Sequence, residues 1–459
     1  MSNNNKFSEI VSHLTNNGFV FPSSQIYGGL ANVWDYGSLG AELKNNIKQF
    51  WHREFIQRSE HNVLIDTAIF MNKKVWEATG HVTSFNDPMF ECKACKTRYR
   101  VDHFFEKKFP NVKTGEMTFE QIDDFIKTHD VECEKCSKKN CFTNVKKFNM
   151  MFRVNFGTTS DVNSEVFLRP ETAQGVFVNF KNIQRATRRK IPFGICNYGK
   201  SFRNEITLGN FIFRTKEFEQ LEMEFFCKCG TDEEWFEYWK EKCFKFIINL
   251  GINKENIHYR EHDKSELAFY SKRTVDIEYN FPDIGWGEIL GIANRTDYDL
   301  KRHMEYSKES LEYDDCNEKY IPYCIEPSMG LDRIMLMVLV DSFEKEKLSN
   351  DSERIVMKIN PLLSPYKVAV LPLDKKLAEE AKKIFNDLSK KIMCIYDDTG
   401  SIGKRYRRED AIGTPFAVTV DYETLKDKKV TIRNRDDMKQ IRIDQDKIFS
   451  YIKDILDTY

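Results

Sequence analysis

The chain has 459 residues, 41% of them hydrophobic and 13% aromatic, enough for about three domain cores and too apolar for a disordered protein. Its 70 Lys and Arg against 71 Asp and Glu give a formal net charge of −1. That excludes a protein that coats nucleic acid by bulk basic charge, while leaving room for a local basic face. The polar first 22 residues lack the basic region, apolar core and small-residue cleavage site of a signal peptide. The apolar run 334–340 falls far short of the ~20 residues that span a membrane. The 12 cysteines are scattered through a long chain, which predicts reduced or metal-bound thiols in a cytoplasmic protein with no membrane partner.

In chain order, residues 36–55 are apolar-patterned, predicting a helix over 39–57 that serves either as core or as a subunit contact. Short strands rich in Phe, Ile, Val and Tyr follow, interrupted by a Lys-, Glu- and Cys-rich insertion at 87–147. A second long helix is expected at 232–250. Residues 1–350 are read as one α+β domain on an antiparallel sheet. Charged residues at 341–360, leading to Asn360-Pro-Leu-Leu-Ser-Pro365, are read as a linker. Beyond it, strands at 367–371, 393–396, 417–422, 429–433 and 440–443 alternate with helices at 375–391 and 446–456. This predicts a small α/β domain over 361–459.

Two stretches carry candidate chemistry. Phe202-Arg203-Asn204-Glu205 precedes a loop with Arg214 and a strand over 217–226. Strand alternation places Phe218, Gln220, Glu222 and Glu224 on one face and Leu221, Met223 and Phe225 on the other. Arg203 and Glu205 likewise share a side. An Arg fork suits phosphate, an aromatic ring suits a purine and carboxylates suit an ammonium group. The bland alternative is a charged face of an ordinary hairpin. In Glu326-Pro-Ser-Met-Gly-Leu-Asp-Arg333, Gly330 permits a tight strand-to-helix turn. Arg333 then falls in a first helical turn, where an anion would offset the helix dipole.

These strings, with Trp76-Glu-Ala-Thr-Gly-His81, Arg169-Pro-Glu-Thr-Ala-Gln-Gly175, 209–226 and 288–300, resemble the single-chain glycyl-tRNA synthetases of the dimeric type. Those are class II aminoacyl-tRNA synthetases, and the likeness runs from Tyr27 to the C-terminus. It implies a class II catalytic domain and a C-terminal anticodon-binding domain. It also implies a homodimer, and ligation of glycine to tRNA(Gly) with ATP and Mg2+. By the same resemblance Arg203 and Arg333 are catalytic. Arg203, Asn204, Glu205, Phe213, Arg214, Phe218, Glu288, Ile289, Gly330, Asp332 and Arg333 bind ATP, with Glu288 on magnesium. Arg100, Glu171, Phe218, Gln220, Glu222, Glu326, Ser328 and Gly330 surround glycine. We take Glu171 and Glu222 as the groups that hold the ammonium and crowd the α-carbon. Ser38, Leu208 and Phe269 depart from the family pattern, where proline, proline and histidine are usual.

Cys92-Lys-Ala-Cys95 and Cys133-Glu-Lys-Cys136 form two C-x-x-C pairs that suit a structural Zn2+, with Cys141 a substitute ligand, although their separation exceeds the usual ~15–20 residues. Lys404, Arg405, Arg407 and Arg408 around Tyr406 are expected to touch tRNA. Three other readings remain open here. One is a non-catalytic RNA-binding relative, another a ligase for a different small amino acid, the third a zinc-dependent RNA-binding module.

Overall fold

Helix Ser38–His52 (α1) turns Leu43, Ile47, Phe50 and Trp51 inward, each contributing about 1.5–3 kcal/mol by leaving water. Its apolar stripe is therefore spent in the core of its own chain. The computed structural model describes residues 6–155, 165–205, 210–348 and 352–459. Within them a seven-stranded sheet is built from Asn62–Ile65 (β1), Phe193–Phe202 (β2), Glu217–Cys227 (β3), Ile257–Glu261 (β4), Arg273–Phe281 (β5), Gly285–Thr296 (β6) and Tyr323–Gly330 (β7). The order is β4-β5-β6-β7-β3-β2-β1, antiparallel except where β1 runs parallel to β2.

Period-two alternation divides this sheet into two faces. Leu221, Met223 and Phe225 of β3 join the main core with α1 and with Asp232–Asn249 (α3), where Trp239 lies 5.2 Å from Phe225 and stacks on Phe55. Helix Leu331–Asp341 (α4), buried along nearly its whole length, seals the same side. The opposite face of β3 carries Gln220, Glu222 and Glu224, then Phe226, which packs under Ala173–Thr187 (α2) with Phe177 and Phe180. The expected antiparallel α+β architecture is therefore present.

The stretch expected as an insertion folds around its own core of Phe90, Phe104, Phe105, Ile122, Ile126 and Phe142. Strand Asn86–Glu91 pairs with Arg98–Arg100 on one side and Lys146–Asn149 on the other.

Residues 341–360 differ from the linker reading. Phe343–Lys347 and Glu353–Met357 form an antiparallel hairpin with Phe343 opposite Met357. Its buried residues Phe343, Val356 and Met357 are scattered among charges, which hid the strands from composition. The C-terminal sheet, Val368–Pro372 (β8), Cys394–Tyr396 (β9), Phe416–Val420 (β10), Lys429–Asn434 (β11) and Gln440–Asp444 (β12), runs β9-β8-β10-β11-β12. Helices Ala378–Ser389 and Ile448–Leu456 pack on it as expected. An unexpected helix occupies Ile402–Ile412, because the basic run there conceals its buried residues Arg405, Glu409 and Asp410. Among the described residues, no helix is long and apolar enough to cross a membrane.

Ion pairs lock the hairpin to this second sheet. Arg354, with a fully buried side chain, donates to Asp410 at 2.9 Å, and Arg433 binds the same carboxylate at 2.8 and 3.0 Å. His13 of the N-terminal helix meets the Ala411 carbonyl at 2.8 Å. Asp410→Asn leaves the buried Arg433 without its counter-charge and Arg354 with Glu346 alone, a loss of about 3–5 kcal/mol. Calorimetry of the variant is expected to show a lower unfolding transition, and an unshifted one would refute this account.

Candidate active site

The sheet face away from the main core opens into two adjoining cavities. The first is a cleft at the C-terminal end of β2 and β7, lined by Arg203, Glu205, Phe213, Arg214, Phe218, Glu288, Ser328, Gly330 and Arg333, among others. Arg203 is held by its Nε on the Pro170 carbonyl, 3.0 Å away, and its guanidinium lies 5.4 Å from the Phe218 ring and 5.5 Å from Phe85. Arg214 faces Glu205 at 3.7 Å. Arg333 reaches the Glu288 carboxylate at 3.0 Å and stacks on Phe213 at 4.6 Å. Three guanidiniums around one aromatic floor make an anion and purine site.

Asp332, which also lines the cleft, has a structural task as well. Its carboxylate, buried, takes Lys44 Nζ at 2.8 Å, the Glu219 amide at 2.7 Å and the Tyr36 hydroxyl. It clamps α4 to α1 and β3, and these three donors leave one of its four acceptor positions open on the cleft that it lines. Ile289 is likewise buried in the main core, so only its main chain can serve the cleft. Asn204 is fixed by its backbone N–H on the Met150 carbonyl at 2.8 Å.

The second cavity is acidic, lined by Glu171, Glu222, Glu326, Ser328, Arg295 and Tyr270 among others. The β3–β7 register sets Glu222 opposite Ser328, and the β6–β7 register sets Ala293 opposite Glu326. Arg295 of β6 grips Asp299 at 2.8 and 2.9 Å and Glu326 at 2.8 Å, and its guanidinium lies 4.0 Å from the Tyr270 ring. Gln174 bridges Glu171 and Asp299 at 2.9 and 2.8 Å, while accepting from His303. His81, itself 2.7 Å from Thr79, approaches Glu171 at 3.4 Å. Burial alone would raise the Glu171 carboxyl, but His81, Arg295 and the Gln174 hydrogen bond hold it well below the usual range.

Glu222 departs from the assigned role. Thr172 donates to it through N (2.9 Å) and Oγ1, Gln220 through Nε2 (2.7 Å) and Ser328 through Oγ (2.6 Å). Four donors fill a carboxylate's four acceptor positions, so Glu222 organises the pocket wall rather than offering a free oxygen. Arg100 approaches the cleft from the insertion, within electrostatic reach of Glu205 and Arg214. It pairs with Asp102 at 2.6 Å and Asp87 at 3.5 Å on the insertion and lines neither cavity. Arg295, His81, Thr172, Gln174 and Asp299 are site residues that sequence reasoning missed. Their only signal was membership of the matching strings. Phe269 is 60% exposed with its ring edge towards Tyr270, Ser38 is the exposed first residue of α1, and Leu208 lies outside the described residues.

The four cysteines of the two pairs come together. Sγ separations are 3.7 Å for Cys92–Cys136 and 3.6 Å for Cys95–Cys133, and one ligand atom from each of the four lies within 4.8 Å of the others. The two turns repeat one backbone pattern: Lys96 N donates to Cys92 O as Ser137 N does to Cys133 O, each with positive φ. In the C-terminal basic run, Arg405 is buried, donating to the Pro372, Asp397 and Gly400 carbonyls. It is thereby withdrawn from any surface contact. Arg408 pairs with Asp397, Arg407 is half-buried and Lys404 is exposed.

An antiparallel sheet presenting Arg, aromatic and carboxylate side chains, followed by a separate α/β unit, defines a class of enzyme. Residues 152–342 match the family described as tRNA synthetase class II core domain (G, H, P, S and T), and 367–455 match that described as anticodon binding domain. The protein is a class II aminoacyl-tRNA synthetase. It is similar to the glycine–tRNA ligases of Caldanaerobacter subterraneus subsp. tengcongensis (57% identity, 98% of each chain) and Acetivibrio thermocellus (56%, 97% of each). That of Clostridium acetobutylicum is 53% identical over 99% of each chain. The chain belongs to the glycine–tRNA ligase family.

Proposed function

We propose that the two cavities carry out glycine activation and transfer side by side on one sheet surface. The observation that supports this most is that Arg203, Glu288 and Ser328 line both of them, so a phosphate in one and a carboxylate in the other meet at Arg203. In this reading Arg203 holds the ATP α-phosphate, Phe218 stacks on adenine, Glu205 takes the adenine edge, and Arg214 and Arg333 take the γ-phosphate. The glycine carboxylate attacks the α-phosphorus in line and pyrophosphate departs. A ribose hydroxyl of the terminal adenosine of tRNA(Gly) then attacks the glycyl carbonyl and AMP leaves. Positioning and charge neutralisation suffice for such steps, without a side-chain nucleophile.

Magnesium fits the side of the acidic cavity where Glu288 borders the cleft. A Cβ built on Gly291 would lie 3.3 Å from an Asp276 oxygen and 3.7 Å from a Glu288 oxygen, so two hard oxygen donors share one small surface, as Mg2+ prefers. When bound with ATP, the ion spreads phosphate charge. Glycine's ammonium group sits between Glu171 and Glu326, whose oxygens are less fully engaged than those of Glu222. Glu222 acts through Ser328 and Gln220, and larger amino acids are rejected by exclusion at the α-carbon.

The remaining assignments follow the same scheme. The catalytic unit takes residues 1–350 with the insertion at 87–147, and the anticodon-binding unit takes 361–459. The free thiols favour the reducing cytoplasm. Lys404, with Arg407 and Arg408 alongside, offers tRNA contact on the C-terminal unit. The four thiols hold one structural Zn2+, since Zn–S bonds of about 2.3 Å in a tetrahedron set S–S edges near 3.8 Å. Cys141, 3.3 Å from Cys92, is too close for a further vertex. A homodimer is supported by Ile26, Tyr27 and Leu30, which are 88%, 87% and 61% exposed and form an apolar surface ahead of α1.

Three measurements test these assignments. ATP–pyrophosphate exchange across twenty amino acids is expected with glycine alone, and Arg203→Ala should lower it by about 100-fold or more. Exchange with another amino acid, or an unaffected variant, would overturn the site roles. Metal analysis should find about one zinc per chain, lost in a Cys92→Ser/Cys133→Ser variant, and a metal-free folded wild type would refute the zinc assignment. Ile26→Glu/Leu30→Glu should halve the mass seen by light scattering; a wild type that is already monomeric would remove the dimer.

A further inference from the structure

The floor of the acidic pocket holds more carboxyl groups than its cations and donors account for. Glu222, Glu224 and Glu326 are buried, and each places an oxygen within 4.8 Å of the others. Their surroundings differ sharply. Glu222 is saturated by the four donors already described, and Glu326 receives Arg295 at 2.8 Å on one oxygen. Glu224, on β3 beneath α2, is fully buried and neither of its oxygens has a hydrogen-bond partner among the described residues.

The charged and titratable groups facing this pair come from every side. Arg169 and Glu171 come from the turn before α2, Arg295 from β6, Asp299 and His303 from the helix Tyr298–Ser307, and His81 from the helix His81–Ser84. Tyr270 precedes β5, Cys196 lies on β2, Cys324 on β7, and Lys242 of α3 approaches Cys196 from behind. Arg169 is committed to the Lys200 and Thr67 carbonyls, and Arg295 is shared with Asp299. Arg203 and His262 also line the cavity, but so do Glu266, Asp276 and Glu288, and carboxyls that outnumber the cations around them cannot all ionise. Burial, then Glu222 and Glu326, drive the Glu224 carboxyl far above its usual range. Burial outweighs Arg295 at Glu326, and with Glu222 and Glu171 pushes it up to about 8.

An arriving ammonium group changes this balance, because it brings both a positive charge and hydrogen-bond donors to the open side of Glu326. We propose that capture of glycine is proton-linked: the Glu326 carboxyl, neutral in the empty pocket, releases its proton to solvent as the ammonium group enters, while Glu224 stays protonated beneath it. The O–H bond of Glu326 breaks, its electron pair stays on the carboxylate, and the new negative charge is matched by the ammonium. Glu224 is a positioning residue that keeps the floor of the pocket uncharged. The proposal rests on the assignment of this pocket to glycine. The sign follows from that step: wherever Glu326 is protonated in the empty pocket, glycine displaces its proton, so glycine binds more tightly as pH rises from 6 to 8, by up to tenfold per unit.

Calorimetric titration of the intact protein with glycine at pH 7, in phosphate and in Tris, reads the released proton directly. The two heats are expected to differ by nearly the whole difference in buffer ionisation enthalpy, and Glu224→Gln should keep that difference. Glycine heats that do not depend on buffer would overturn the proposal while leaving the glycine pocket intact. No glycine heat in either buffer would overturn the pocket assignment itself. Loss of the released proton in a folded Glu224→Gln protein would overturn its placement on Glu326. As a measurement needing no variant, the wild-type glycine affinity should rise from pH 6 to 8, and a flat profile would refute the linkage.

Discussion

The buried guanidinium of Arg295 is the interaction on which the acidic pocket depends. It grips Asp299 with two nitrogens and Glu326 with a third, and so ties β6, β7 and the helix Tyr298–Ser307 into one polar unit inside an apolar shell. Removing such a cation would leave several carboxyls buried without compensation, a far larger penalty than losing a surface pair. Gln174 extends the network to Glu171, and His303 and His81 close it from outside. The result is a rigid acidic cup in which no side chain has to reorganise to meet a positive charge.

The basic cleft is organised by the opposite device, a buried anion. Asp332 collects Lys44 from α1, the Glu219 amide from β3 and Tyr36, and this fixes the first turn of α4, where Arg333 resides. Arg333 thus projects from a turn that cannot shift without breaking a buried charge cluster. The cleft and the cup share the strands β3, β6 and β7, and β-sheet register alone sets their separation.

Much of this was legible in the sequence because strand alternation is strict. The placement of Phe218, Gln220, Glu222 and Glu224 on one face follows from period two, as does the core face of Leu221, Met223 and Phe225. Alternation could not say that Glu222 is already saturated, since Thr172 arrives from a turn fifty residues earlier in the chain. Nor does it show that Arg295 faces Glu326, a diagonal contact made where the β6–β7 ladder is irregular between Asn294 and Thr296. The basic run at 404–408 looked like a surface, but one of its arginines caps carbonyls inside the C-terminal unit, and charge in a sequence carries no sign of burial. The hairpin within 341–360 was hidden for the same reason: Phe343, Arg354, Val356 and Met357 are buried, while charged residues around them dominate the composition.

The insertion enters on Asn86–Glu91 and leaves on Lys146–Asn149, two strands hydrogen-bonded to each other with Asn86 opposite Asn149. Its ends therefore lie side by side, and the catalytic sheet meets it as a closed graft with a private core. Lengthening or shortening such a graft costs the host little loop-closure entropy. The fold of the catalytic sheet is therefore insensitive to how long this part of the chain is, because what the sheet meets is a paired stem of fixed width.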